Sequence, residues 1–274
     1  MSKFDTIELE TDPRGFATLW LDRPDKNNAF NAAMIEELIA ALQQVQSSGT
    51  LRFLILRGRG RHFSAGADLA WMQQSAQLDY TANLADARRL SELMHTLYSL
   101  RIPALAVVQG AAFGGALGLI CCCDIAIGAD DAQLSLSEVR IGLAPAVISP
   151  YVVQAIGERA ARRYAISAER FGGEQALALG LFAECRPSSE LDTALARWID
   201  LLQANGPHAM QATKALLRKV GSGMSTPELR RHTETVIAGI RVNAEGQEGL
   251  RAFLEKRSPA WRDAASPHNR KPSP

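Results

Sequence analysis

Three short stretches of this chain hold residues whose types and spacing can do chemistry. The first is Phe63-Ser64-Ala65-Gly66-Ala67-Asp68-Leu69. Small side chains there let a ligand approach the main chain. A helix beginning near Ala67 would also leave main-chain N–H groups unpaired and pointing outward, able to hold negative charge. The second is Gly110-Ala111-Ala112-Phe113-Gly114-Gly115-Ala116, again a strand, a small-residue turn and a helix start. Two such turns can each aim one N–H at a common point, which is the geometry of an oxyanion hole. They can equally be two unrelated tight turns. The third is Glu138, flanked by apolar residues in Leu134–Gly142. Partial burial would raise its carboxyl toward the range useful in acid–base catalysis. A pairing with Arg140 or a capping role is the alternative.

Other chemistries find less support. Neither turn is a phosphate-binding P-loop, because no Gly-Lys-Ser/Thr follows, and the Gly-x-Gly-x-x-Gly spacing of dinucleotide sites is absent. The five histidines (His62, His95, His208, His232, His268) lack metal-ligand spacing, so no metal is expected. No serine stands in a Gly-x-Ser-x-Gly elbow. Cys121–Cys123 point in different directions on a helix and read as buried small residues, which suits a reducing cytoplasm.

The elements that position these stretches follow from periodicity and turn residues. Strands are expected at Phe16–Leu21, Leu51–Arg57, Ala104–Gln109, Asp124–Gly128 and Ala132–Leu136. Asn31 can cap a helix running to about Ser47, and Leu84–Leu100 and Ala116–Cys123 read as helices. After Ser137 the pattern is mostly helical, ending in one long amphipathic helix over Thr226–Ala252. Strands and helices alternating in the first half, with helices after them, argue an α/β core and a helical C-terminal part.

The chain has 274 residues, 47% hydrophobic and 22% charged, which permits a sizeable core. Thirty Lys and Arg face 29 Asp and Glu, so a strongly basic nucleic-acid binder is disfavoured. The N-terminal stretch lacks the apolar segment of a signal peptide, and glycines interrupt the longest apolar run, so no membrane span is expected.

Taken together, Ser64–Leu69, Gly110–Gly115 with Cys123-Asp124, and Ser137-Glu138 through Gly142 with Pro145 resemble the enoyl-CoA hydratase/isomerase (crotonase) superfamily. Arg23-Pro24 with Asn28–Asn31, and Glu248-Gly249 with Ala252–Pro259, extend the resemblance over about residues 5–262. It implies an α/β spiral of ββα units over residues 1–200, a helical trimerisation region over 201–262 and a flexible tail over 263–274. It implies trimers or dimers of trimers. It also implies an acyl-CoA ligand and no cofactor beyond the CoA moiety of the substrate. The thioester oxygen would sit between the N–H groups of Ala67 and Gly115, each worth about 3–4 kcal/mol in comparable sites. Ala65, Gly66, Asp68 and Leu69 would line the adenine end of CoA, with Lys26 and Ala29 near its phosphates and pantetheine. Phe253 and Lys256 would reach CoA from a neighbouring subunit.

The chain departs from the family pattern at Gly118, where typical hydratases carry the first of two glutamates; Glu138 matches the second. Finer detail resembles bacterial methylglutaconyl-CoA and isohexenylglutaconyl-CoA hydratases of leucine and acyclic terpene breakdown. On that reading Gly114, Gly118 and Arg140 belong to the substrate pocket. Gly118 would make room for a branched, carboxylated acyl group, and Arg140 is a candidate carboxylate partner. The expected activity is water addition to such an enoyl-CoA. A single-glutamate Δ3–Δ2 enoyl-CoA isomerase and a non-catalytic CoA- or RNA-binding relative are the alternatives.

Overall fold

A computed structural model describes residues 4–221 and 226–263. The N-terminal half builds a six-stranded sheet. Its strands are β1 (Ile7–Asp12), β2 (Phe16–Leu21), β3 (Phe53–Gly58), β4 (Ala104–Val108), β6 (Ile125–Ala129) and β9 (Glu184–Arg186). They lie in the order β1-β2-β3-β4-β6-β9, with β1 antiparallel and the others parallel. The central strands are continuous apolar runs because both faces are covered; every residue of β4 is buried. A second, three-stranded sheet joins β5 (Ala111–Phe113), β7 (Gln133–Ser135) and β8 (Phe171–Gly172). It branches from the ends of β4 and β6 and carries the candidate site.

The helices of the first half are α1 (Ala32–Ser47), α2 (Leu69–Ser75), α3 (Tyr80–Tyr98) and α4 (Gly115–Cys122). Asn31 caps α1 by accepting from Met34 N–H at 2.9 Å, as the sequence suggested. α1 packs on α3, and α3 on α4. α5 (Ser149–Ile156), α6 (Glu158–Ser167), α7 (Gly173–Ala178) and α8 (Leu191–Gln203) follow, and α8 packs on β6. The last helices are α9 (Pro207–Val220), α10 (Pro227–Val242), α11 (Ala244–Leu254) and the short α12 (Ala260–Asp263). An α/β fold with a helical C-terminal region is what these elements form.

Several expectations are corrected. β1 was not anticipated: its sequence is polar because it is the sheet edge, with Glu8 and Glu10 turned outward to Arg59. The long helix over Thr226–Ala252 is two helices, since the extended backbone of Asn243 ends α10 and its side chain caps α11 through Gly246 N–H. The expected boundary at residue 200 falls within α8, a continuous helix over Leu191–Gln203. The expected tail over 263–274 lies outside the described residues after Asp263.

α9 is tied to the sheet by a buried cation. Lys214 Nζ donates to Ile102 O at 3.0 Å and meets Asp124 Oδ2 at 2.7 Å. The same Oδ2 accepts from Ala104 N–H at 2.7 Å, at the start of β4. Breaking a buried pair by removing one partner is costly because the other is left uncompensated. We therefore expect Lys214→Met to lose about 3 kcal/mol of stability in urea unfolding.

Candidate active site

The Ser64–Asp68 loop is held between two neighbours. On one side Phe30 N–H donates to Gly66 O at 2.7 Å and Asp68 N–H donates to Phe30 O at 2.8 Å. On the other side Ser64 N–H donates to Ala111 O at 3.0 Å and Phe113 N–H to Ser64 O at 3.2 Å. Main-chain groups alternate in direction along extended chain, so the bridge between Phe30 and Ala67 turns the Ala67 N–H away from Phe30. This N–H is therefore not a helix-start donor, as the sequence suggested. α2 begins only at Leu69, and it is Asp68 that caps it, accepting from Ala70 N–H at 2.9 Å. Gly66 makes the bend at φ 93°, and a Cβ there would lie 2.9 Å from Phe113 O.

The second N–H comes from Gly115, the first residue of α4, where no intrahelical acceptor exists. Gly114 before it sits at φ 52°, and its own N–H is taken by Ser135 O at 2.9 Å. The Phe30 ring lies against Gly115, where a Cβ would be 3.2 Å from Phe30 Cε2. Phe30 thus contacts both segments, one through its main chain and one through its ring.

Glu138 opens a 3-10 turn, Glu138–Ile141, just after β7. A Cβ on Gly114 would stand 3.0 Å from Glu138 Oε1, so the carboxyl lies directly against the residue that precedes the Gly115 N–H. Glu138 is half-buried, and its Oε2 is buried with no hydrogen-bond partner. Burial pushes the carboxyl above its usual range, only partly opposed by its own main-chain N–H. A desolvated carboxylate with a spare oxygen is a stronger proton acceptor than an exposed one.

The residues that hold this arrangement appear in the sequence only as parts of the motifs and of the resemblance, without this supporting role. Asn28 is fully buried in the left-handed region at φ 53°. Its Oδ1 accepts from Arg23 N–H, and its Nδ2 donates to Arg59 O and His62 O, both at 2.8 Å. Ser64 Oγ donates to Asn28 O at 2.7 Å and accepts from Gly66 N–H at 3.2 Å. Arg23 pairs with Asp68 at 3.0 Å and donates to Ala29 O at 2.6 Å. Burial opposes ionisation of Asp68, but Ala70 N–H and Arg23 outweigh it and hold the carboxyl below its ordinary value. The adjacent asparagines, Asn27 and Asn28, were the available signal, since asparagine tolerates positive φ in tight turns.

The remaining expected site residues are dispersed. Ala65 lies within the Ser64–Asp68 loop, donating its N–H to Asn27 O at 2.9 Å, and Leu69 is 77% exposed. Lys26 is exposed at the end of the 3-10 turn Pro24–Lys26, and Ala29 is buried with its N–H on Lys26 O. Phe253 and Lys256 are both exposed at the end of α11. Two pocket expectations need correction. Gly118 does not leave open space, because a Cβ there would be 2.3 Å from Ile148 Cγ2 and 3.2 Å from Met94 Cε. Arg140 is turned to the main chain, donating to Ala168 O at 2.9 Å, and pairs with no carboxylate among the described residues.

Comparison with known proteins decides the family. The enoyl-CoA hydratase/isomerase family model matches residues 11–264. The chain belongs to that family. A crystal structure of an enoyl-CoA hydratase from Shewanella pealeana superimposes with a TM-score of 0.90 at 47% identity, covering 94% of this chain and 97% of the other. A putative enoyl-CoA hydratase of Thermus thermophilus is 32% identical, with 89% of this chain and 96% of that one aligned. The 2,3-dehydroadipyl-CoA hydratase of Escherichia coli is 29% identical over 89% of this chain and 94% of its own. Members of this family act on acyl-CoA substrates, and none of the chain's described helices is long and apolar enough to cross a membrane.

Two outcomes follow for the site. Asn28→Ala strands Arg59 O and His62 O, so we expect a loss of about 3 kcal/mol in stability. Displacing the Ala67 N–H should also lower kcat/KM about a hundredfold, read by steady-state kinetics at a temperature where the variant is folded. For Glu138, the base form must be ionised, so kcat/KM rises with pH through a value above the ordinary carboxylate range. A carboxyl raised in the folded state costs stability once pH climbs past its unfolded value. Glu138→Gln should therefore melt above the wild type at neutral pH, with the gap closing as pH falls, while turnover is lost.

Proposed function

We propose that this chain adds water across the C2=C3 bond of an α,β-unsaturated acyl-CoA, with Glu138 as the single acid–base group. The observation that carries the reading is the half-buried Glu138 carboxyl, one oxygen unpartnered, set against Gly114 beside the Gly115 N–H. The N–H groups of Ala67 and Gly115 would donate to the thioester oxygen and polarise C3. Glu138 takes a proton from water as the water oxygen bonds to C3. The C2=C3 electron pair moves to form an enolate, whose charge rests on the thioester oxygen. Glu138 then returns the proton to C2, and the C=O bond re-forms. The sum is enoyl-CoA plus water giving 3-hydroxyacyl-CoA, with Glu138 restored.

The favoured substrate is a branched, carboxylate-bearing enoyl-CoA of the 3-methylglutaconyl or isohexenylglutaconyl type, which would place the enzyme in leucine or acyclic terpene breakdown. Its support is the sequence resemblance and the likeness to a relative named for 2,3-dehydroadipyl-CoA, a dicarboxylic enoyl thioester. A lone carboxylate also suits an anionic acyl group, since no second glutamate repels it. Ala65, Gly66, Asp68 and Leu69 are proposed to meet the adenine end of CoA, and Lys26 and Ala29 its phosphates and pantetheine. Phe253 and Lys256 are proposed to serve a neighbouring subunit of a trimer or hexamer.

One observation favours a second reading, Δ3–Δ2 isomerisation. The place of the usual partner glutamate is filled by apolar Ile148 and Met94, and a single carboxylate can move a proton between C2 and C4 without adding water. Turnover in heavy-oxygen water, followed by mass spectrometry, separates the two. We expect the label in the product from methylglutaconyl-CoA, with kcat/KM above that for crotonyl-CoA. An unlabelled product from a 3-enoyl-CoA would assign the isomerase instead, and binding without turnover across the panel would mark a non-catalytic relative.

A further inference from the structure

We propose that Ile148, with Met94 beside it, forms the floor of the acyl pocket and limits the length of the acyl group that Glu138 can serve. The inference rests on the acyl-CoA reading above and adds to it a residue that determines specificity. A side chain at position 118 would project from α4 on the same side as Gly115, one turn further along. Ile148 already fills that space: its Cγ2 and Cβ would be 2.3 and 2.9 Å from a Cβ at 118, and Met94 Cε 3.2 Å. Both side chains are buried, Ile148 at 2% exposure and Met94 at 0%. Met94 is held in turn by Cys122, whose Sγ lies 3.9 Å from its Sδ.

A second chamber lies past this floor. A cavity of about 340 Å³ is lined by Tyr98, Cys121, Cys123, Gln154 and Arg218, among others. Tyr98 comes one turn after Met94 on α3, Cys121 one turn after Gly118 on α4, and Gln154 less than two turns after Ile148 on α5. On all three helices the lining residues follow the floor residues, so Ile148 and Met94 stand between Gly115 and the chamber. At about 1.5 Å per residue, Cys121 is about 9 Å along α4 from Gly115, within reach of a medium-length acyl chain.

The walls say what kind of chain end would suit it. Tyr98 donates its hydroxyl to Gln154 Oε1 at 2.9 Å. The Arg218 guanidinium lies 4.5 Å from the centre of the Tyr98 ring and forms no ion pair among the described residues. Burial pushes the Cys121 thiol up to about 12, so the sulfur is a neutral, apolar wall at physiological pH. A long acyl tail, apolar along its length and polar or anionic at its end, matches the side of the lining that Tyr98, Gln154 and Arg218 form; the Asp124 carboxylate on the other side is already paired with Lys214. In the wild type the floor keeps such tails out, which favours the short 3-methylglutaconyl type over the longer isohexenylglutaconyl type among the substrates proposed above.

The test is the acyl-length profile of Ile148→Ala, measured on short, medium and long straight-chain 2-enoyl-CoAs. We expect the ratio of kcat/KM for long over short chains to rise by at least about tenfold. Ile148→Val should move the ratio the same way by less, and it keeps the test readable if the alanine variant does not fold. Among long substrates, those ending in a carboxylate should gain most, and Arg218→Gln in the Ile148→Ala background should erase that advantage. A second measurement does not depend on the reaction. Gly118→Ala should lower the melting temperature, and adding Ile148→Ala should recover part of the loss. An unchanged length ratio in folded Ile148 variants, or Gly118→Ala as stable as wild type, overturns the inference. Absence of any wild-type turnover would instead sink the acyl-CoA reading, leaving the melting cycle to report on the contact alone.

Discussion

The chemistry proposed for this molecule depends on how Phe30 is held. Its main chain pairs with Gly66 and Asp68, and its ring packs on Gly115. Two N–H groups from segments far apart in sequence are thereby referred to one rigid residue. An oxyanion hole needs this kind of support. Its donors act through preorganisation, and a displacement of an ångström forfeits much of their effect. Phe30 in turn depends on the Arg23–Ala29 loop, which Asn28 locks by filling its polar capacity entirely with main-chain partners. The order of dependence runs from a buried amide, through an aromatic residue, to a pair of unpaired donors.

Glu138 works by the opposite device. Where Asn28 is fully satisfied, Glu138 is left with a buried oxygen that has no hydrogen-bond partner among the described residues. No cation offsets its burial, and the residue that would have brought a second carboxylate is a glycine. Its carboxyl is raised by desolvation alone, so its basicity is adjusted by how deeply a bound acyl group covers it. The cost in stability is the usual companion of a reactive group, which is why the expected melting behaviour of Glu138→Gln runs against its loss of turnover.

The sequence made the central strands and most helix positions legible, because β3, β4, α1 and α4 are covered on their inner faces and carry clean apolar runs. It made Glu138, Ala67 and Gly115 candidates through small-residue turns and one isolated acid, joined by a family resemblance, and their roles stand as the proposal above. What it hid was relational. β1 is polar because it is an edge strand satisfied by Arg59, a partner fifty residues away in sequence. The break at Asn243 depends on the close approach of Gly246 to Ile240 O, where a Cβ would be 2.0 Å away. Arg140 reads as a free cation until Ala168, at the left-handed end of α6, supplies the carbonyl that takes it.

Gly118 shows why such relations matter for function. A glycine in place of a larger residue suggests vacant volume, but interiors are packed close to the density of organic crystals and rarely leave a side chain's worth of space empty. The volume given up at 118 is held by Ile148, which enters from the N-terminal end of α5, thirty residues further on in the sequence. The exchange is not neutral. It replaces a charged, hydrated partner for Glu138 with a branched hydrocarbon, so the carbon atoms of a bound enoyl group would meet one acid on one side and a dry wall on the other. Water that adds must then come from the Glu138 side, and the same carboxylate must handle both protonation steps. On the proposed reading, specificity and mechanism are thus set by one packing contact, and the two would change together if Ile148 were cut back.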